Sequence, residues 1–265
     1  NISPNVRKSD LSIGGVVSFI DDDGNKDVMD YLLPMMASKG LKMASAIISH
    51  WTTTKPTYYL NKPLLTIEEL KKCLVDYPSN FEILNHTSNH TSFTGVDTAP
   101  LFSEMEKSNK WFLENLKFIP SGFVNPFGHY SWNGLYVTSQ YHRYAFSTAI
   151  GVNYINSSFS NYTIKRLQFG SPEAGGNVPV SQIKTYIQEA IQNNGWVVIM
   201  THVKGFDDYA NWRTDFEELC DYIIAQNIKC LLPSEAFSIF GNIIENINDS
   251  NTGFKMLANG QTVNL

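Results

Sequence analysis

Short apolar, β-branched runs alternate along this chain with segments of helical periodicity, and that alternation restricts the fold to a parallel sheet with crossover helices. Strand-type runs fall at residues 16–20, 44–48, 81–84, 122–127, 145–148, 196–200 and 228–232. Between them, Val28, Leu32, Met35 and Met36 share a helical face over residues 27–38, with Gly40 as the stop. Thr66-Ile67-Glu68-Glu69 reads as a capping box opening a helix to about Asp76. Residues 100–116 and 136–144 are read as helices, the first carrying Leu101, Met105, Phe112 and Leu116. Ser181 is read as the cap of a helix with Ile183, Ile187 and Ile191 on one face, stopped by Gly195. A second capping box, Thr214 to Glu217, opens a helix through Ala225, and Pro233-Ser234-Glu235 starts a last short one.

An open doubly wound sheet and a closed barrel both satisfy this pattern, and the polar residues at the strand ends decide between them. Asp21-Asp22-Asp23 ends the first apolar run, His86-Thr87-Ser88-Asn89-His90 ends the third, and His202 follows the run at 196–200. Two imidazoles in a His-x-x-x-His spacing on a coiling backbone project to one side and can grip one metal ion. Chemistry delivered from the C-terminal ends of several strands is how a barrel builds a site. No Gly-rich phosphate loop supports the open nucleotide-binding sheet. The expected fold is therefore α/β, a distorted parallel (β/α) barrel, TIM-like, with about seven strands. Each feature has a plainer reading: a polar turn for the histidines, a solvated loop for the aspartates, a satisfied core group for His202.

Composition narrows the partners. A hydrophobic fraction of 43% and a charged fraction of 17% over 265 residues describe a globular chain with ample core. A net charge of −5 argues against a nucleic-acid partner. No apolar run is long enough to span a membrane, and Asn1-Ile2-Ser3-Pro4 carries no secretion signal. Cys73, Cys220 and Cys230 are odd in number and form no Cys-x-x-Cys pair, so buried free thiols are expected. Sequons at Asn85, Asn89, Asn156, Asn161 and Asn248 carry no weight in so Asn-rich a chain. Residues 1–13 read as an extension, 14–242 as one catalytic domain, and 243–265 as a polar tail or linker.

The motifs together resemble the metal-dependent polysaccharide deacetylases, related to chitin and peptidoglycan deacetylases, over residues 14–240. Residues 82–90 are similar to the family's histidine motif, Asp22-Asp23-Gly24 to its first motif, and Met200-Thr201-His202 to its last. The resemblance implies Asp23, His86 and His90 as metal ligands, Asp22 as general base and His202 as general acid. It implies a divalent cofactor, zinc by default, with cobalt or nickel as alternatives. Phe123-Val124-Asn125-Pro126-Phe127-Gly128 resembles the third motif, in which the Phe127 N–H would serve an oxyanion hole. That motif usually places an arginine where Val124 stands, and Asp21 replaces a usually apolar residue. Arg166 resembles a variant in which an arginine from the next strand reaches the catalytic aspartate.

The implied activity is hydrolysis of acetyl groups from a carbohydrate, foremost an N-acetylhexosamine polymer, with a cell-wall glycan as partner and an extracellular, cell-surface or virion-associated location. The aromatic residues Trp51, Tyr58, Tyr59, Phe93, His129, Tyr130, Trp132, Phe206, Tyr209 and Trp212 are candidates for a glycan groove. His50 and His142 belong to no motif and read as structural. Two rivals stand: a deacetylase-like module of a larger assembly that binds glycan without turnover, and a metal hydrolase of some other amide.

Overall fold

The computed structural model describes residues 13–155, 159–170, 177–209 and 211–241, together with the backbone of 254–256 and 262–264. The extension at 1–12, Asn156, Asn248 and most of the 243–265 tail lie outside the described residues. Eight strands share the main sheet: β1 (Val16–Asp21), β2 (Met43–Ile47), β5 (Phe81–Asn85), β6 (Gly122–Val124), β7 (Tyr144–Phe146), β8 (Leu167–Phe169), β9 (Trp196–Thr201) and β10 (Lys229–Cys230). Seven run in the order β7-β6-β5-β2-β1-β9-β8, every pairing parallel, and β10 pairs with β1. The two ends of this path approach each other. Ile164 bridges Phe146, and the Arg166 N–H donates to the Ala149 carbonyl just ahead of β8. The fold is a distorted parallel (β/α) barrel.

Short hairpin strands β3 (Tyr58–Tyr59) and β4 (Lys62–Pro63) follow β2, and β11 (Phe254–Met256) pairs antiparallel with β12 (Thr262–Asn264). The helices are α1 (Leu33–Ser38), α2 (Ile67–Asp76), α3 (Thr98–Leu116), α4 (Trp132–Tyr141), α5 (Val180–Asn193), α6 (Trp212–Ala225) and α7 (Pro233–Phe240). Strand alternation sorts the core into two layers. Val17, Phe19, Val197, Ile199, Leu167 and Phe169 pack under the helices. Val16, Ile20, Val198, Val124, Phe146 and Ile164 fill the interior, where Phe237 and Phe240 of α7 plug the end at which the strands begin.

Local chemistry explains where the sequence reading held and where it slipped. Thr66 and Glu69 form the expected reciprocal capping box of α2. The cap expected at Ser181 is absent: α5 starts at Val180 behind Pro179, and Val180 packs on the core. The box expected at Thr214 is also absent. Helix α6 begins earlier, at Trp212, whose ring stacks on Tyr209 at 4.1 Å, so packing sets the boundary rather than the hydroxyl. The run at 122–127 is strand only to Val124, because Pro126 cannot continue a ladder and Phe127 turns left-handed (φ 58°). Cys73 and Cys220 are buried free thiols and Cys230 is half-buried; burial pushes Cys73 and Cys230 up to about 12.

A buried polar knot holds the C-terminal end of β5. Asn85 accepts from the Thr87 N–H at 2.9 Å and from the Ser108 hydroxyl at 2.8 Å. Its amide donates to Asn109 Oδ1 at 3.0 Å and to His142 Nε2 at 3.2 Å, while His142 Nδ1 donates to the Pro120 carbonyl at 3.0 Å. Both nitrogens of His142 are thus satisfied by the neutral ring, and burial pushes its pKa down to about 4. An unfolded histidine takes up its proton near 6.5, so between these values the unfolded chain binds a proton that the fold refuses. The stabilisation is complete above about 6.5 and is lost as pH falls toward about 4, roughly 3 kcal/mol in all. Urea unfolding at pH 7 and pH 4 should show that the His142→Gln variant loses about that much less between the two pH values than the wild type does.

Candidate active site

The acidic triplet leaves β1 at the C-terminal edge of the sheet, and its three carboxylates go three ways. Asp21 is in register with Thr201 and lies on the helix side of the sheet, the face of Val17 and Phe19. Its Oδ2 accepts from the Thr201 hydroxyl at 2.8 Å and the Val203 N–H at 2.7 Å, the two residues that flank His202. Burial raises its carboxyl well above the ordinary range. Asp22 turns inward. Its Oδ1 accepts from Arg166 Nη1 at 2.8 Å, and both side chains are almost wholly buried. The same guanidinium donates from Nε to the Ser147 carbonyl at 2.9 Å.

Asp23 faces the histidines. The chain gets it there through a left-handed Asp23 (φ 79°) followed by Gly24 (φ 71°), where a Cβ would lie 2.9 Å from Ile47 Cδ1. Asp23 Oδ1 is 3.5 Å from His86 Nε2 and 3.5 Å from His90 Nε2, and it has no hydrogen-bond donor. His86 Nδ1 donates to the Val124 carbonyl at 2.8 Å, which fixes the tautomer and leaves the Nε2 lone pair free for a ligand role. Burial, then the neighbouring His86, push His90 down to about 4, so the His90 ring is neutral. Burial alone would raise the Asp23 carboxyl; His86 and the charges of His202 and Lys204 outweigh it and hold it well below the usual range.

These three donor atoms lie within 4.8 Å of one another. Ligands about 2.0–2.1 Å from a tetrahedral ion stand roughly 3.3–3.5 Å apart, so the two Asp23–imidazole distances of 3.5 Å suit a divalent metal. A carboxylate oxygen orphaned between two imidazoles has an evident partner in such an ion. His202 Nε2 stands 3.6 Å from the other oxygen of Asp23, which places it beside the same cluster. The Phe127 ring packs on His90 at 4.4 Å between centroids, in the left-handed turn after β6. All seven residues singled out from the sequence therefore converge at one end of the barrel.

Several contributors were not anticipated. The loop of His86 and His90 is pinned from α3, where the Glu104 carboxylate accepts from the Asn89 N–H and Ser108 and Asn109 join the Asn85 knot. The signal was present: buried polar residues interrupt the apolar face of Leu101, Met105 and Phe112. Lys204 Nζ donates to Asp23 Oδ2 at 2.8 Å. Of the aromatic candidates, Phe93 and Phe206 are core residues and Tyr209 is stacked on Trp212. Trp51 and Tyr59 stand at 5.9 and 6.0 Å from the His90 ring. With Tyr58, Thr57 and an exposed His50 they line a cavity of about 240 Å³, so His50 faces solvent rather than packing inside.

Residues 14–145 match the family model described as polysaccharide deacetylase. The chain belongs to the polysaccharide deacetylase family. No curated protein matches it in sequence. Among solved structures it is similar to a Mycobacterium smegmatis protein described as a polysaccharide deacetylase, at 11% identity and TM-score 0.63, over 87% of this chain and 91% of that one. It is also similar to a family 4 acetyl xylan esterase from Clostridium thermocellum, solved in complex with a cobalt ion, at 10% identity and TM-score 0.57, over 84% and 91%. IcaB from Ammonifex degensii aligns at 13% identity and TM-score 0.51, over 64% and 71%. At these identities the structural likeness concerns the fold. Among the described residues, no helix is long and apolar enough to cross a membrane.

The Asp22–Arg166 contact carries a stability consequence. Removing one member of a buried pair leaves the other charge uncompensated, at a cost of about 3–5 kcal/mol. Urea unfolding should show that loss for Arg166→Met, and the Asp22→Asn/Arg166→Met double variant should recover part of it. Losses that simply add would mean that the two side chains are not coupled.

Proposed function

We propose that this deacetylase-family protein hydrolyses acetyl groups from a carbohydrate, with an N-acetylhexosamine polymer as the foremost substrate and a divalent metal held by Asp23, His86 and His90. The observation that carries the reading is the flanking of that ligand cluster by a guanidinium-paired carboxylate, Asp22, on one side and an imidazole, His202, on the other. A divalent ion there, zinc by default with cobalt or nickel as alternatives, supplies Lewis acidity toward the acetyl carbonyl and toward a water.

The chain's own groups do the rest. Asp22 accepts the proton of the attacking water, and Arg166 pairs with its carboxylate and aims it. His202 delivers a proton to the departing nitrogen or oxygen; Asp21 steadies the turn that carries it by bonding to the residues on both sides. The Phe127 N–H offers the carbonyl oxygen a main-chain donor as charge builds on it. The aromatic cavity beside His90 suits the C–H face of a sugar ring, which favours a carbohydrate over an unrelated amide. The rival of a binding module without turnover rests on the missing arginine at Val124, the unusual Asp21 and the polar tail; against the first of these, Arg166 supports catalysis by supplying a guanidinium to Asp22.

The test is acetate release from an acetylated hexosamine oligomer, and from acetylated xylan, by protein stripped of metal and reloaded with zinc or cobalt. Release is expected to depend on the metal and to fall about 10²–10⁴-fold in Asp22→Asn and in His202→Ala, with metal still bound in His202→Ala. Metal binding without release from any glycan would instead establish the binding module. The aromatic wall makes a separate prediction: Trp51→Ala should raise KM on the oligomer at least tenfold and leave hydrolysis of a small aryl acetate nearly unchanged.

A further inference from the structure

Lys204 is the one lysine buried among the described residues, at 3% exposure, and no step proposed above uses it. Its ammonium donates to Asp23 Oδ2 at 2.8 Å and sits 4.0 Å from the centre of the Tyr59 ring, in a pocket between the loop after β9 and the hairpin of β3 and β4. The two oxygens of Asp23 are thereby made unequal. Oδ1 lies 3.5 Å from both imidazole nitrogens and has no donor, whereas Oδ2 faces Lys204 and His202.

We propose that Lys204 is a positioning residue that reserves Asp23 Oδ2, makes Asp23 a one-oxygen metal ligand, and holds down the affinity of the site for a divalent ion. The inference rests on the metal centre proposed above. A carboxylate with both oxygens available can chelate an ion; one whose second oxygen is held by an ammonium presents a single oxygen. The ammonium also places a like charge close to the cation, and in a buried setting that repulsion is weakly screened. The bound ion is left with fewer protein donors and less compensating negative charge. Both effects keep a coordination position open for water and carbonyl oxygen, as hydrolysis requires. The hairpin takes part through Tyr59, whose ring face covers the ammonium and excludes water from the pair.

A purely structural lysine would behave differently: its loss would loosen the site and weaken metal binding, as disturbance of groups around a metal ordinarily does. The proposal requires the opposite sign. Cobalt titration of the full chain, followed by visible absorption and by competition with a chelator, reads both affinity and coordination. Lys204→Met should bind cobalt at least tenfold more tightly, with weaker visible bands as the second carboxylate oxygen joins the ion. Lys204→Gln keeps an N–H donor without the charge; it should bind more tightly while retaining the wild-type spectrum. Lys204→Arg should match the wild type in both. If Lys204→Met does not fold by circular dichroism, the Gln variant decides. Unchanged or weakened cobalt binding in the Met and Gln variants would overturn the role of Lys204 while leaving the metal centre intact. Absence of cobalt binding by the wild type would overturn both readings.

Discussion

Three adjacent carboxylates buried at the end of one strand are the constraint around which this barrel is organised. Asp21, Asp22 and Asp23 are each at most 3% exposed, and carboxyl groups at that depth demand partners. Each partner comes from a different part of the chain. Asp21 draws on the turn after β9, Asp22 on the arginine ahead of β8, and Asp23 on the histidine loop after β5 and on Lys204. Closing the barrel is therefore also the act of giving each member of the triplet its partners. The interior strands must converge on the end of β1, since only there are the three carboxyls given polar partners.

That arrangement divides labour among residues that are chemically identical. Pleating sends Asp21 to the helix side and Asp22 to the interior, and the left-handed backbone at Asp23 and Gly24 swings the third carboxylate toward the imidazoles. Burial pushes Asp21 toward the neutral form, whereas Asp23 is held ionised by the groups around it. One carboxyl can thus be structural and another a ligand, with a third between them paired to a guanidinium. Environment assigns the roles.

Much of this was legible in the sequence, for physical reasons that particular residues show. Periodicity exposed the long elements, since α3 and β9 each bury a continuous face or run. The site was legible because its candidate residues follow strands directly: Asp23 after β1, His86 and His90 after β5, His202 after β9. Boundaries at Ser181 and Thr214 were misread because polar residues there look like caps, while Val180 and Trp212 bury enough apolar surface to start the helices earlier. Strand β8 has three residues and β3 two, too few for any period to register. Lys204 was invisible for another reason: an isolated lysine in a loop ordinarily points to solvent, and only tertiary structure shows that it does not.

The displaced arginine shows how a site can be kept while a motif is lost. At the position where the family usually has arginine, Val124 packs its side chain into the interior and offers only its carbonyl, to His86. The guanidinium arrives instead from Arg166, beside the terminal strand of the sheet. In an open sheet those positions would be far apart. Here the bridge between Ile164 and Phe146 brings the two ends of the strand path together, so a long side chain ahead of β8 enters the same interior as the residues of β6. What Asp22 needs is a buried positive charge within hydrogen-bond reach, and the curvature of the sheet lets more than one strand supply it. Residue identity at Val124 is then free to serve packing, and the chemistry follows the barrel's geometry rather than a position in the chain.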